Sequence, residues 1–298
     1  MNSNFWNGKN VFVTGATGFI GSWLTNTLVN EKSNVNVIIR DEVPNSNFYL
    51  LNLEKKCNMI YGKLEDYDLL LRVFNEYSID TCFHLGAQTQ VGLANRSPIS
   101  TFKSNIEGTW NLLEAARQSK WMKRIIIAST DKAYGSQEIL PYKENSPLLA
   151  EYPYDVSKAC ADRLAFCYHK TYDMPLSITR CGNIYGGGDL NFKRLIPETM
   201  KSIYNKEDII IRSDGTCLRD YNYVNDIVNA YLLIAENIEK KVSFGEVFNL
   251  SNNQPLSVID LISKIISMTK TNSKIKKEAE KINLISFFTL PPSLSLFL

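Results

Sequence analysis

Histidine is scarce: His84 and His169 are the only two in 298 residues, too few for a metal centre built on imidazole. The six cysteines do not make up for it. Cys57, Cys82, Cys160, Cys167, Cys181 and Cys217 are scattered, with no CxxC pair among them. Cys160 and Cys167 stand seven apart in one expected helix, too far for a disulfide within it. This usage reads as reduced thiols in a cytoplasmic chain with no metal site. Charge of one sign is also lacking, since 33 Lys+Arg against 31 Asp+Glu leave a formal +2. That balance gives no electrostatic reason for a nucleic acid or a membrane surface as partner. No apolar run is long enough to span a bilayer, and Met1 to Lys9 hold no apolar signal core. Internal repeats and flexible linkers are absent as well. The length suits one large α/β unit or two modest lobes.

What is present centres on Ile125-Ile126-Ile127-Ala128, a run that predicts a strand buried on both faces in the middle of a parallel sheet. It ends in Ser129, Thr130, Asp131 and Lys132. Ligands of open α/β sheets bind at the carboxyl ends of strands, so a hydroxyl, an acid and an amine fall where chemistry happens. The same residues would also make a plain turn with Asp131 as a helix cap. Tyr154-Asp155-Val156-Ser157-Lys158 then opens a helix. Tyr154 and Lys158, four apart, share one face, and a cation beside a phenol lets the phenol act as a base near neutral pH.

Upstream, the strand Asn10–Thr14 runs into Gly15-Ala16-Thr17-Gly18-Phe19-Ile20-Gly21 and a helix through Asn30. A glycine turn directly after the first strand lets backbone approach a pyrophosphate at a helix N-terminus. A second strand, Val35–Ile39, ends at Arg40-Asp41. An acid there binds the ribose hydroxyls of NAD, whereas an arginine favours the NADP phosphate, and both are present. Met59–Gly62 reads as a third strand and Asp66–Tyr77 as an amphipathic helix. Thr81–His84 runs into Leu85-Gly86-Ala87-Gln88, with His84 read as a packed, hydrogen-bonded residue. Ser97–Ser119 predicts one long helix with Pro98 in its first turn. Asn105 within it either faces the strand ends or is an ordinary polar position. A helix Tyr154–Tyr172 and a strand Leu176–Arg180 follow.

Alternating strands and helices predict an α/β fold, a doubly wound parallel sheet of Rossmann type, with a smaller C-terminal substrate-binding lobe. The division expected is residues 1–180 for the dinucleotide-binding part and 181–281 for the lobe, with some strands of the latter free to return to the main sheet. Arg219–Val224 reads there as a strand and Asp226–Ile238 as a helix. Residues 282–298 form an apolar tail with two prolines and no period, either a docked tail or the product of a truncated or frameshifted reading frame.

Six stretches carry a family likeness. Thr14–Gly21, His84–Gln88, Ser129–Gly135, Tyr154–Lys158, Arg180–Asp189 and Arg219–Asp226, in that order, resemble the extended short-chain dehydrogenase/reductases of the nucleotide-sugar epimerase and dehydratase group. The likeness runs from about Lys9 to Met268. Thr130-Asp131-Lys132 and the Gly186-Gly187-Gly188-Asp189 run ahead of Leu195-Ile196-Pro197 are similar to CDP-glucose 4,6-dehydratases. The dTDP-glucose type carries Thr-Asp-Glu instead, and Arg40 makes GDP-mannose 4,6-dehydratases the nearest rival. The resemblance implies catalysis by Thr130, Asp131, Lys132, Tyr154 and Lys158. It implies NAD as cofactor, with Arg40 leaving NADP open, held by Gly15, Thr17, Gly18, Phe19, Ile20, Gly21, Arg40, Asp41, Leu64, Leu85, Gly86 and Ala87 together with Tyr154 and Lys158. It implies a nucleotide sugar touched by Gln88, Asn183, Leu195 and Arg219, and a homodimer formed through Ser97–Ser119 and Tyr154–Tyr172. A C4 epimerase and a non-catalytic nucleotide-binding protein are the alternatives on the same scaffold. Two departures stand out: Lys63 replaces the aspartate usual near the adenine, and the stretch that normally follows Met268 is missing or replaced by the tail.

Overall fold

The structure, a computed structural model, describes residues 4–278, so the tail at 282–298 lies outside the described residues. Strand β1 (Asn10–Thr14) leads into helix α1 (Phe19–Asn30), strand β2 (Asn34–Ile39), the short helix α2 (Asn47–Leu50) and strand β3 (Asn58–Tyr61). Helix α3 (Tyr67–Glu76) is capped by Asp66, whose carboxylate accepts the Leu69 N–H at 3.0 Å. Strand β4 (Thr81–His84) and the helices α4 (Val91–Arg96), α5 (Pro98–Phe102) and α6 (Gly108–Gln118) come next. Then come β5 (Arg124–Thr130), α7 (Pro153–Tyr172) and β6 (Leu176–Cys181). The last third holds β7 (Asn183–Tyr185), α8 (Leu195–Tyr204), β8 (Ile209–Ile211), β9 (Leu218–Arg219) and β10 (Tyr221–Tyr223). It ends with α9 (Val224–Ile238), β11 (Val247–Leu250), β12 (Leu256–Ser257), α10 (Val258–Thr269) and β13 (Ile275–Lys277).

Seven strands form one parallel sheet in the order β11-β6-β5-β4-β1-β2-β3. The order reverses between β1 and β4, and β5 lies inside the sheet with β4 and β6 on either side. Ile125, Ile126 and Ile127 are at most 1% exposed, as a strand covered on both faces requires. Phe12, Leu70, Phe74, Leu112, Ile125, Ile127 and Ile178 form a core on one face.

The chain divides into two compact units. The first comprises the residues up to Gly182 together with Tyr223–Leu250; the second comprises Asn183–Asn222 and the residues from Ser251 onward. This differs from a single cut after residue 180, because β11 pairs with β6 as the edge strand of the sheet. Helix α9 returns with it and buries Val224, Ile227, Val228, Tyr231, Leu232 and Ala235. Taken by itself, the second unit pairs β12 with β9 and β13 with β8 around Ile209, Ile211 and Ile262.

Two expected elements are broken. The helix read over Ser97–Ser119 is interrupted by a π-helical turn, Lys103–Glu107, which swings Asn105 inward to 2% exposure. The strand read over Arg219–Val224 splits at Asp220 into β9 and β10, and α9 begins already at Val224.

Candidate active site

The carboxyl ends of β1 and β4 meet. Gly15 has φ +74°, and a Cβ there would fall 2.9 Å from the Gly86 nitrogen. A Cβ on Gly21 would stand 2.1 Å from the Gly15 carbonyl oxygen. Only glycine permits both approaches. Helix α1 then starts at Gly18 with no side-chain cap and no acid in its first turn, unlike the Asp66-capped α3. Its N–H groups and dipole are left for an anion, which fits the pyrophosphate of a dinucleotide. Thr17, Phe19 and Ile20 lie in this segment and are half-buried. Leu64, 8% exposed, approaches the same turn: a Cβ on Gly86 would lie 3.1 Å from its Cδ1. Leu85 and Ala87 flank Gly86 and are half-buried. At the tip of β2, Arg40 Nε donates to Asp41 Oδ2 at 2.6 Å and its NH1 to Ser104 Oγ at 3.3 Å.

Behind the turns runs a relay the sequence reading did not assemble. Thr109 donates its hydroxyl proton to the Asn105 carbonyl at 2.6 Å, so its oxygen accepts from His84 Nε2–H at 3.0 Å. His84 Nδ1 is therefore bare and accepts from the Thr14 hydroxyl at 2.9 Å, while Thr14 Oγ1 accepts the Gly86 N–H at 2.8 Å. Burial, aided by the Lys158 cation, pushes the His84 pKa down to about 3, so the imidazole stays neutral. The reading of His84 as a packed, bonded residue agrees with this geometry. The Asn105 side chain accepts the Gln88 N–H at 2.7 Å and donates to the Gln88 carbonyl at 3.0 Å and to Ser157 Oγ at 2.9 Å. Ser157 in turn donates to the Tyr154 carbonyl at 2.6 Å. One chain of bonds thus ties the glycine turn to the first turn of α7. Its signal in the sequence was only polar residues at apolar-looking positions. The Gln88 side chain itself folds back on the Gln90 backbone.

At the tip of β5, Thr130 donates to Asp131 Oδ1 at 3.1 Å and accepts the Lys132 N–H at 3.4 Å. The cap of this turn is therefore Thr130, not Asp131, because Asp131 already lies inside the 3-10 turn Asp131–Tyr134. Lys158 is 8% exposed, and its Nζ donates to the Ala128 carbonyl at 2.5 Å. Burial lowers its pKa to about 8, with Asp162 and Cys181 opposing the shift. Cys181 ends β6, shares a hydrogen bond with the Tyr231 hydroxyl at 3.4 Å and is pushed up to about 12 by burial, so it stays a neutral thiol. Tyr154 and Lys158 both sit on α7, which packs on β5 and its terminal turn.

Asn183, Leu195 and Arg219 belong to the second unit. There Asn183 N–H donates to the Asp220 carbonyl at 3.2 Å, Leu195 opens α8, and Arg219 NH1 donates to the Leu218 carbonyl at 2.8 Å.

The chain is similar to proteins of known activity. The family profile described as GDP-mannose 4,6 dehydratase matches residues 12–288. CDP-glucose 4,6-dehydratase of Salmonella typhimurium is 31% identical over 283 residues, 90% of this chain and 78% of its own length. dTDP-D-glucose 4,6-dehydratase of Dictyostelium discoideum is 31% identical over 280 residues, and the chain spans 62% of it. Among solved structures, UDP-glucose 4-epimerase of Thermotoga maritima with UDP-glucose superposes with a TM-score of 0.82 at 25% identity, covering 92% of this chain and 87% of its own. DesIV, a dTDP-glucose 4,6-dehydratase of Streptomyces venezuelae with NAD and TYD bound, does so with 0.79 at 26%, covering 91% and 84%.

Proposed function

Because the chain belongs to the GDP-mannose 4,6-dehydratase family, we propose that it is an NAD-dependent nucleotide-sugar 4,6-dehydratase. It converts an NDP-hexose, CDP-glucose before others, to the NDP-4-keto-6-deoxyhexose with internal hydride transfer and loss of water. The observation that carries the reading is the Lys158–Ala128 bond, which pins the first turns of α7 to the end of β5. The Tyr154 helix is thereby held against the turn that bears Thr130, Asp131 and Lys132.

The glycine turn, Leu64, Leu85, Ala87, Arg40 and Asp41 would hold the dinucleotide, with Lys158 on the nicotinamide ribose. The cofactor's chemistry is reversible uptake of a hydride, lost by sugar C4 and regained at C6. The residues manage the protons. Tyr154, as phenolate favoured by the Lys158 cation, takes the proton of the C4 hydroxyl, and Thr130 holds that oxygen. The C4 ketone acidifies the C5 hydrogen. Lys132 assists the removal of that proton and its return to C5, while Asp131 gives one to the departing C6 hydroxyl, which leaves as water. Asn183 and Arg219 would take the diphosphate, for which the planar guanidinium fork is suited, with Gln88 and Leu195 beside the sugar and nucleotide. Two copies would pair through Ser97–Ser119, which holds α5 and α6, and through α7.

Incubation with NAD and a panel of nucleotide hexoses, read by mass spectrometry, tests this. Loss of one water from one of them without net NADH supports the reading. An interconversion without mass change that survives Asp131→Asn would instead establish the second reading, a C4 epimerase, which the 0.82 superposition on an epimerase favours.

A further inference from the structure

Asn249 lies on the edge strand β11, in register with Arg180 of β6. Between them the two side chains clasp one hydroxyl. The Tyr134 hydroxyl donates to Asn249 Oδ1 at 2.7 Å and accepts from Arg180 NH1 at 2.8 Å. An arginine can only donate, so the phenol proton goes to Asn249. The amide is held the right way round by its other end, because Nδ2 donates to the Tyr142 carbonyl at 3.0 Å. The Asn249 backbone N–H donates to Glu144 Oε1 at 2.9 Å. Tyr142 closes the loop: its ring stacks on Tyr134 with centroids 4.8 Å apart, and its hydroxyl donates to the Gly135 carbonyl at 2.7 Å. One residue of the edge strand thus gathers the whole stretch between the tip of β5 and the start of α7.

Tyr134 is the last residue of the 3-10 turn that begins with Asp131 and Lys132, and it is buried. At its strand end this turn is held by the Lys132 N–H on the Thr130 hydroxyl at 3.4 Å, longer than an ordinary bond of this type. At its far end it is held by the two short bonds of the clasp. We propose that Asn249 is a positioning residue of the active site, acting through Tyr134 to set Asp131 and Lys132 against the C5–C6 bond of the sugar. This rests on the dehydratase reading above. The reaction divides between two elements. Oxidation at C4 calls on Tyr154 and Lys158, which α7 carries and the Lys158–Ala128 bond holds. Loss of water calls on Asp131 and Lys132, which the turn carries. Opening the clasp frees the turn but leaves α7 bonded to β5 through Lys158 and to β6 through the Arg180–Asp162 pair. The second step therefore suffers and the first does not. A displacement of about 1 Å at a reacting group is enough for roughly a hundredfold loss.

Asn249→Leu removes the acceptor, and Tyr134→Phe removes only the hydroxyl. Two measurements are made on the full chain. The first is hydrogen exchange without substrate, read by mass spectrometry. The Lys132, Gly135 and Leu149 amides are bonded within the turn and its loop. Both variants should speed their exchange by about tenfold, the worth of one lost bond. Unchanged exchange there overturns the proposal, whatever reaction the protein catalyses, and Tyr134→Phe gives the answer even where Asn249→Leu does not fold. The second measurement adds NAD and the accepted nucleotide hexose. Both variants should release water about a hundredfold more slowly while NADH absorbance rises and persists, since C4 is still oxidised. The double variant should be no slower than the slower single one, because the two ends of one bond are lost only once. NADH formation and water loss that slow in step assign Asn249 to packing alone and overturn the proposal. A wild type that takes water from no hexose in the panel overturns the dehydratase reading and this role with it, while the exchange result still judges the clasp separately.

Discussion

Lys158 donates its Nζ–H to the Ala128 carbonyl at 2.5 Å, so a buried ammonium on α7 is anchored on the backbone of the interior strand β5, two residues before Thr130. The bond fixes where Tyr154 stands relative to the strand tip. Its cation is costly to bury, which is why its pKa falls to about 8. Lys158→Met should lower kcat by about 10²–10⁴-fold, the range for loss of a proton-transfer partner. The stability effect has a definite sign. The unfolded lysine binds its proton up to its ordinary value while the folded one releases it near 8, so the wild type gains stability as pH rises through that window. Unfolding midpoints should therefore show the wild type gaining on Lys158→Met between pH 8 and pH 10.

His84 should not titrate in the usual imidazole range. Its neutral Nε2–H form is fixed by Thr109 on one side and Thr14 on the other, and its pKa lies near 3. Proton NMR should find its ring unchanged from pH 5 to pH 8. His84→Ala leaves the Thr14 hydroxyl proton without an acceptor in the core and should cost about 1–3 kcal/mol. A midpoint within error of the wild type would dissolve the relay.

Much of this was legible before any coordinates. The triple isoleucine run read as a strand covered on both faces, and the glycine turn behind the first strand read as a close backbone approach rather than an ordinary tight turn. The return of residues 223–250 to the sheet was left open, because Val247-Phe248-Asn249-Leu250 is too short to distinguish an edge strand of the main sheet from a strand of the lobe. Asn105 was left open between the strand ends and an ordinary polar position for a different reason. It is a polar residue inside a helical stretch, and sequence period alone reads such positions as surface. The π-helical turn that buries it to 2% exposure has no sequence signature of its own.

Arg180 and Asp162 join β6 to α7 by two bonds of 2.8 Å, with both side chains at most 5% exposed. NH1 of the same guanidinium reaches the Tyr134 hydroxyl and the Glu144 carbonyl, both at 2.8 Å, and Tyr134 continues to Asn249 at 2.7 Å. The cluster therefore holds the turn after β5, the loop beyond it and the edge strand β11 together. Arg180→Met strands a carboxylate in the interior and should destabilise by about 3–5 kcal/mol, read as a lower urea midpoint. Replacing Asp162 by Leu in the same chain should recover most of that loss, since an apolar pair leaves no orphaned charge.

Leu93, Ile99 and Trp110, on α4, α5 and α6, are 40%, 70% and 43% exposed, and Tyr172 at the end of α7 is 51% exposed. Apolar surface on helices from two parts of the first unit suits the pairing of two copies, which at ordinary size covers about 800 Å² on each. Light scattering at micromolar concentration should give twice the chain mass. Ile99→Glu with Trp110→Glu should give a folded monomer, and a wild-type monomer would remove the proposed dimer.

Under the proposed function, Arg40 and Asp41 would decide which dinucleotide is accepted. Arginine at this strand end would ordinarily receive the 2′-phosphate of NADP. Here its Nε is bonded to Asp41 at 2.6 Å and its NH1 reaches Ser104, so the guanidinium arrives already paired. The carboxylate both occupies the arginine and repels an incoming phosphate, while remaining able to accept ribose hydroxyls. NAD should therefore bind more tightly than NADP, measured by calorimetry on the free protein. Asp41→Asn frees the guanidinium and lifts the repulsion, so NADP affinity should rise by about tenfold, an increment of about 1.4 kcal/mol. Arg40→Ala should leave NAD nearly untouched. The side chains of the pair are 49% and 65% exposed, so the discrimination should weaken as salt is raised from 0.05 to 0.5 M. Tighter binding of NADP to the wild type, or indifference to Asp41→Asn, would show that Arg40 acts independently of its neighbour and that the strand end selects for phosphate.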